Sequence, residues 1–164
     1  LVRRVRQLFE KLEVEYQIVD TREKPERNYP VTCDFEGKQL RFYQENAATL
    51  SKKSQRGILS LCTGAGKTMT SCKIFENLAV APVVFIVPAI ELLKQTQKEF
   101  ERYLRLDGEK VRVGIAGGGL CDINMEGINV ITYQTALIAF DKKYIPMKKL
   151  PNVINCKVVF SFAR

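Results

Sequence analysis

The chain has 164 residues, 46% hydrophobic and 27% charged, which is enough for one packed domain and too apolar for a disordered segment. Its 26 Lys and Arg against 18 Asp and Glu leave a net charge of +8; that favours a polyanionic partner such as nucleic acid, although an ordinary basic surface has the same balance. The absence of histidine and the five scattered cysteines (Cys33, Cys62, Cys72, Cys121, Cys156), none in a CxxC pair, exclude a His-based triad and argue against a zinc site or disulfide framework.

Those unpaired cysteines suit a reducing, intracellular setting, and no apolar run reaches the roughly 20 residues of a membrane span. The chain opens on Leu1 rather than Met, so it is expected to be a piece of something longer. Leu1, Val5, Leu8, Phe9 and Leu12 recur at helical spacing, and Tyr16 to Val19 reads as a short strand. Residues 20–30, "DTREKPERNYP", are charged and hold two prolines, which marks a linker or domain boundary.

From about residue 40 helices and apolar strands alternate. The pattern predicts a helix over 42–53, a strand over 57–61, a glycine loop, and a helix over 67–78. "APVVFIVP" is a continuous apolar run of strand length, the pattern of a parallel strand buried on both faces. "AIELLKQTQKEFERYL" is amphipathic, with Ile90, Leu93, Phe100 and Leu104 expected inward. "VRVGIAGGG", with its strand at 112–115, and "INVITYQTAL" are two further strand-then-turn units, and Val158 to Phe160 is a last buried strand. This alternation implies an α/β fold with a mainly parallel sheet flanked by helices, preceded by a small α+β remnant.

The loop "CTGAGKT", residues 62–68, carries the clearest chemistry. A strict phosphate loop reads G-x-x-x-x-G-K-[ST]; here Gly66-Lys67-Thr68 fits the end and Leu61 stands at the first glycine position. The physical requirements are still met. Gly64 and Gly66 permit backbone turns that point N–H groups of Thr63 to Gly66 at phosphate oxygens, with Ala65 between them. The helix after Gly66 adds the positive end of its dipole, Lys67 a cation, and Thr68 a hydroxyl placed to ligate magnesium. The plainer alternative is a glycine loop that only joins a strand to a helix.

The spelling CTGAGKT resembles motif I of superfamily 2 helicases and translocases, and other segments extend the resemblance in order over residues 39–137. "LRFYQENAA" resembles their adenine-reading segment, which implies that Gln44 reads the adenine edge while Arg41 and Tyr43 frame the base or hold that loop. "VVFIVPAIELLKQTQKEF" resembles motif Ia, with Pro88, Leu92 and Gln95 at family positions; the backbone at Pro88-Ala89 and the exposed Gln95 would meet nucleic acid, and Leu92 would serve the core. "GIAGGG" matches the glycine pair before motif Ib, so bare amides at Gly117 and Gly118 would approach a phosphate. In "VITYQTAL", Thr132, Gln134 and Thr135 would lie along the tracked strand.

The subfamilies most similar in pattern are UvsW-type phage helicases and the XPB and type III restriction group. The first 20 residues resemble the final helix and strand of the small domain that precedes such motors; a basic amphipathic helix packed on the motor or touching DNA explains them equally well. The resemblance implies a first RecA-like domain over 31–164 behind an accessory tail at 1–30, with ATP and Mg2+ as ligands. It also implies a DNA backbone, branched or duplex, and a second RecA-like domain as partners.

Such a motor also needs an Asp-Glu pair after a buried strand to hold magnesium and orient water. Val158 to Phe160 is followed by Ser161-Phe162-Ala163-Arg164, and no Asp-Glu dipeptide occurs in the chain. Asp141 in "AFDKKY" follows a helical stretch and reads as a solvated residue. A chain ending at motif II is therefore expected to bind ATP weakly and hydrolyse essentially none; a natural non-hydrolysing relative is the other explanation. Lys142, Lys143, Lys148 and Lys149 read as a solvated loop or as a phosphate-contacting patch. The rival functions are a nucleotide-binding regulatory module without turnover, the motor of an RNA helicase or restriction enzyme, and an unrelated P-loop kinase.

Overall fold

A computed structural model describes residues 2–17, 19, 28–54 and 57–141, with the side chains of 2, 3, 140 and 141 excepted. The elements in chain order are α1 (Val2–Lys11), β1 (Thr32–Cys33), α2 (Phe42–Ser54), α3 (Lys67–Leu78), β2 (Val83–Val87) and α4 (Ile90–Tyr103). They continue as β3 (Leu104–Leu106), β4 (Glu109–Lys110), β5 (Val113–Gly117), β6 (Leu120–Asp122), β7 (Ile128–Thr132) and α5 (Tyr133–Asp141).

The larger sheet has the order β2-β7-β5-β6. Its first three strands are parallel, and β6 folds back antiparallel on β5. Register pairs Val83 to Val87 with Ile128 to Thr132, so the carboxyl ends of β2 and β7 lie level. All five residues of β7 are buried, which is why this run has no polar-apolar alternation. Of its two polar members, Asn129 and Thr132, Asn129 is satisfied by the Asn124 N–H at 2.7 Å and the Asn124 carbonyl at 2.8 Å.

The core lies between this sheet and α3 and α4. Phe75, Phe85 and Phe100 meet edge to face, with centroids 5.1 to 6.2 Å apart. Such contacts add about 0.5–1.5 kcal/mol per pair beyond the burial itself. Helix α3 stops at Ala79, a left-handed residue whose N–H returns to the Phe75 carbonyl at 2.8 Å.

A second, antiparallel sheet has the order β1-β3-β4. Charge pairs pin it: Arg105 Nη2 donates to Asp34 Oδ2 at 3.1 Å, and Arg102 forks onto Glu36. Within the linker segment, Asn28 exchanges side-chain bonds with the Ala81 backbone at 3.0 and 3.1 Å, and the Tyr29 N–H donates to Ala79 at 3.0 Å.

Several expectations need correction. Residues 57–61 form no strand: a parallel strand exists only within a ladder, no described strand runs beside this one, and Ile58 is 97% exposed. Tyr16, Gln17 and Val19 are likewise outside any strand, and Val19 is exposed. Ile90 turns outward, 48% exposed, with its side chain 3.1 Å from where a Gly118 Cβ would lie. Leu104 is buried as expected but opens β3 instead of closing α4. The segment after β7 is a helix and not a turn. The expected strand at 158–160 and the lysines from 142 onward lie outside the described residues.

Candidate nucleotide and nucleic-acid site

The first turn of α2 is bolted to the glycine loop. The Gln44 Nε2 donates to the Ala65 carbonyl at 2.9 Å and to the Gly66 carbonyl at 3.2 Å. The Tyr43 hydroxyl donates to the same Ala65 carbonyl at 3.1 Å and receives a bond from Arg41 Nη1 at 3.1 Å. Gln44 is buried, Tyr43 half-buried and Arg41 exposed. Thus the structure brings Arg41, Tyr43 and Gln44 together on Ala65 and Gly66.

This clamp has a consequence for the backbone. In a planar trans peptide the C=O and the N–H point in opposite directions. The Ala65 carbonyl is held toward α2, and the Gly66 carbonyl accepts from Gln44 and from the Thr70 N–H of α3, so the N–H groups of Gly66 and Lys67 point away from those donors. Gly64 and Gly66 sit at φ 77° and 73°, and the Ala65 N–H closes the turn on Cys62 at 3.3 Å. No side chain caps α3, so the positive end of its dipole faces the mouth of the loop.

The hydroxyls along α3 divide by role. Thr70 Oγ1 donates to the Gly66 carbonyl at 3.1 Å and Ser71 Oγ to the Lys67 carbonyl at 2.9 Å. Thr68 makes no such bond among the described residues and is half-buried beside Lys67. A hydroxyl at that place is a hard oxygen donor of the kind magnesium takes. Thr63 and Gly64 are exposed at the rim, and Ala65 is buried beneath it.

The second group of expected residues collects at the carboxyl ends of β2, β5 and β7, where ligands of open parallel sheets bind. Pro88 is exposed and Ala89 half-buried; Ala89 is the N-cap of α4, extended at φ −139° and without a side-chain cap bond. Gly117 packs against Thr132, whose Oγ1 stands 2.7 Å from where a Gly117 Cβ would be. Gly118 and Gly119, at φ 60° and 82°, are the two central residues of the β5–β6 hairpin, which a type I′ turn requires. Thr132 caps α5: its Oγ1 accepts from the Thr135 N–H at 3.4 Å and meets Thr135 Oγ1 at 2.9 Å. Its side chain is therefore committed within the chain, while Gln134 is exposed. Gln95 lies apart, along α4, bonded to Glu99 at 3.3 Å.

Sequence reasoning passed over Phe42, 78% exposed between Arg41 and Tyr43, and Tyr133, 53% exposed at the head of α5. Their signal was only that each aromatic stands inside a recognised segment. Behind the loop helix lie the half-buried Cys33 and the buried Cys72. Burial, helped by the Glu76 carboxylate, pushes Cys33 up to about 12, and burial raises Cys72 well above its ordinary value.

A glycine loop opening a helix, on a mixed α/β scaffold whose larger sheet has a parallel β2-β7-β5 core with glycine and threonine loops at the strand ends, has the form of a RecA-like domain. The family described as the type III restriction enzyme, res subunit, matches residues 32–155. The chain belongs to that family and is a first RecA-like domain of the superfamily 2 helicase type. It is similar to a DNA 3'-5' translocase XPB2 of Sulfurisphaera tokodaii, 37% identical over 136 residues, which cover 82% of this chain and 28% of that protein. It is also similar to a probable helicase A859L of African swine fever virus, 33% identical over 67 residues, 38% of this chain and 8% of that protein. The chain thus spans less than a third of the length of these relatives.

Proposed function

We propose that this chain is the ATP-binding first motor domain of a DNA helicase or translocase, acting in repair, recombination or replication. The observation that carries this reading is the clamp of Tyr43 and Gln44 on the Ala65 and Gly66 carbonyls, which orients the loop amides for phosphate before any ligand arrives. Lys67 supplies the cation for the outer phosphates, and Gly64, Ala65 and Thr63 complete the cradle. Thr68 would hold Mg2+, which when bound neutralises phosphate charge. Arg41, Tyr43 and Gln44 border the nucleoside side of the cradle. Family membership supports ATP and magnesium use in general, and the relatives' names support DNA as the track.

Along that track, Pro88, Ala89 and Gly118 offer backbone, while Gln95, Gln134 and Thr135 offer side chains, for contacts to phosphate and sugar; Gly117 is buried in β5 behind Gly118. Residues 1–30 are the tail of an accessory domain and linker, and 31–164 the motor domain, which would close on a second RecA-like domain. The net charge of +8 supports a polyanionic partner, and no described helix is long and apolar enough to cross a membrane.

Calorimetry with Mg-ATP tests the nucleotide half: wild type should bind and Lys67→Ala should not, whereas equal affinities would remove the phosphate-loop assignment. Fluorescence anisotropy with labelled DNA tests the other half, since phosphate contacts make affinity fall steeply with salt. A flat salt dependence would count against it. The restriction-subunit family model favours one alternative, the same motor serving a nuclease, which nuclease assays on the longer protein would reveal.

A further inference from the structure

The β2–α4, β5–β6 and β7–α5 loops meet at the carboxyl ends of the parallel strands, and register fixes how they meet. Val87 pairs with Thr132, and Gly117 packs against that same Thr132. One residue further on, Tyr133 therefore stands between Pro88 and Gly118, about one strand spacing, ~4.8 Å, from each backbone. The loops also touch. Ile90 of the first lies 3.1 Å from where a Cβ on Gly118 of the second would be.

This surface is neutral. None of residues 87–90, 117–120 and 132–135 is charged. A nucleic-acid strand held here is gripped by backbone amides and uncharged side chains, with no cation in these loops to meet a phosphate. Thr132 is occupied as the cap of α5, and Ala89 and Gly118 offer backbone. Tyr133 is different. It is 53% exposed at the head of α5, and among the described residues neither its hydroxyl nor its ring has a bonding partner. A neutral ring gives a phosphate nothing, but it gains by covering apolar C–H surface, which its electron-rich face favours. With phosphates at the flanking amides, the apolar surface nearest to them is the sugar, since the base projects farther out.

Resting on the nucleic-acid face proposed above, we propose that Tyr133 is a further contact residue of that face, its ring laid against a deoxyribose of the bound strand. The contact is uncharged, so it adds affinity that salt does not remove.

Fluorescence anisotropy of the whole chain with a labelled single-stranded oligonucleotide, titrated at several salt concentrations, tests this. Tyr133→Ala should weaken binding about threefold to tenfold, by the same factor at every salt concentration, because a neutral contact releases no counterion. Tyr133→Phe keeps the ring and should bind within about twofold of wild type. The Tyr133→Ala loss should persist on an oligonucleotide of abasic residues, which retains sugar and phosphate, and Mg-ATP affinity by calorimetry should be unchanged in both variants. Wild-type affinity in Tyr133→Ala, a changed salt slope, or a loss that vanishes on the abasic strand would overturn the inference. So would an equal loss of Mg-ATP affinity, which would mark a structural effect. If wild type bound no DNA, the nucleic-acid face itself would fall, and this inference with it.

Discussion

Replacing Gly66 with alanine tests whether the clamp on the phosphate loop is a unit. Gly66 sits at φ 73°, where an L side chain costs about 1–2 kcal/mol, offset by about 0.4–1 kcal/mol from the stiffer unfolded chain. The new Cβ would also lie 2.3 Å from Gln44 Nε2, so the amide must leave both carbonyls. Two lost bonds at about 0.5–1.5 kcal/mol each bring the expected total to roughly 2–4 kcal/mol. Gly64 is the control: φ is 77° and nothing stands within 4 Å of its Cβ position, so Gly64→Ala should cost no more than about 1.6 kcal/mol. In a Gln44→Ala background the clash is gone, and Gly66→Ala should fall to the Gly64 level, a coupling of about 1–3 kcal/mol. Equilibrium urea unfolding at constant m measures all four variants. Equal costs at Gly64 and Gly66, or strict additivity with Gln44→Ala, would refute the clamp.

Phe100→Ala removes the fully buried ring shared by Phe75 and Phe85 and should cost about 3–5 kcal/mol, while Ile58→Ala, at a site 97% exposed, should stay within about 0.5 kcal/mol; urea midpoints distinguish them. An aromatic disulfide reagent should label the exposed Cys62 and Cys121 quickly and the native Cys33 and Cys72 only on unfolding, as peptide mapping would show. Because folding raises the Cys33 and Cys72 thiols, the chain holds their protons longer than the unfolded state does. Their contribution to stability is complete below the unfolded thiol range, about 8.5–9, and is lost as pH climbs toward about 12. Urea midpoints should decline over that window, and less steeply in Cys33→Ala.

Much of the scaffold was legible because its signals are local. The helical spacing after Gly66 matches α3, Lys67–Leu78, and the unbroken apolar runs match β2 and β7; β7 is buried at all five positions, whereas β2 alternates buried and half-buried residues. The antiparallel additions were not read. Asp107-Gly108 between β3 and β4 is an ordinary hairpin signal, and Gly118-Gly119 serves the β5–β6 turn, although Gly117 and Gly118 also read as a phosphate approach. The two-residue β1 has no pattern of its own and exists only through its partner β3. Conversely, residues 57–61 have a strand's composition and no ladder beside them.

The sequence by itself determined the chemical inventory: a glycine loop with its lysine and threonine, an arginine, a tyrosine and an amide ahead of it, and glycine and threonine loops after apolar strands. Residue types in order suffice for that, since backbone freedom, charge and hydroxyl chemistry belong to the residues themselves. The tertiary structure alone decided what each group bonds. A glutamine amide suits a base edge and a backbone carbonyl equally well. Only the packing of α2 on α3 brings Ala65, 21 residues away, against Gln44 and leaves Phe42 facing out. Hydrogen bonds between distant residues depend on proximity that no local pattern encodes.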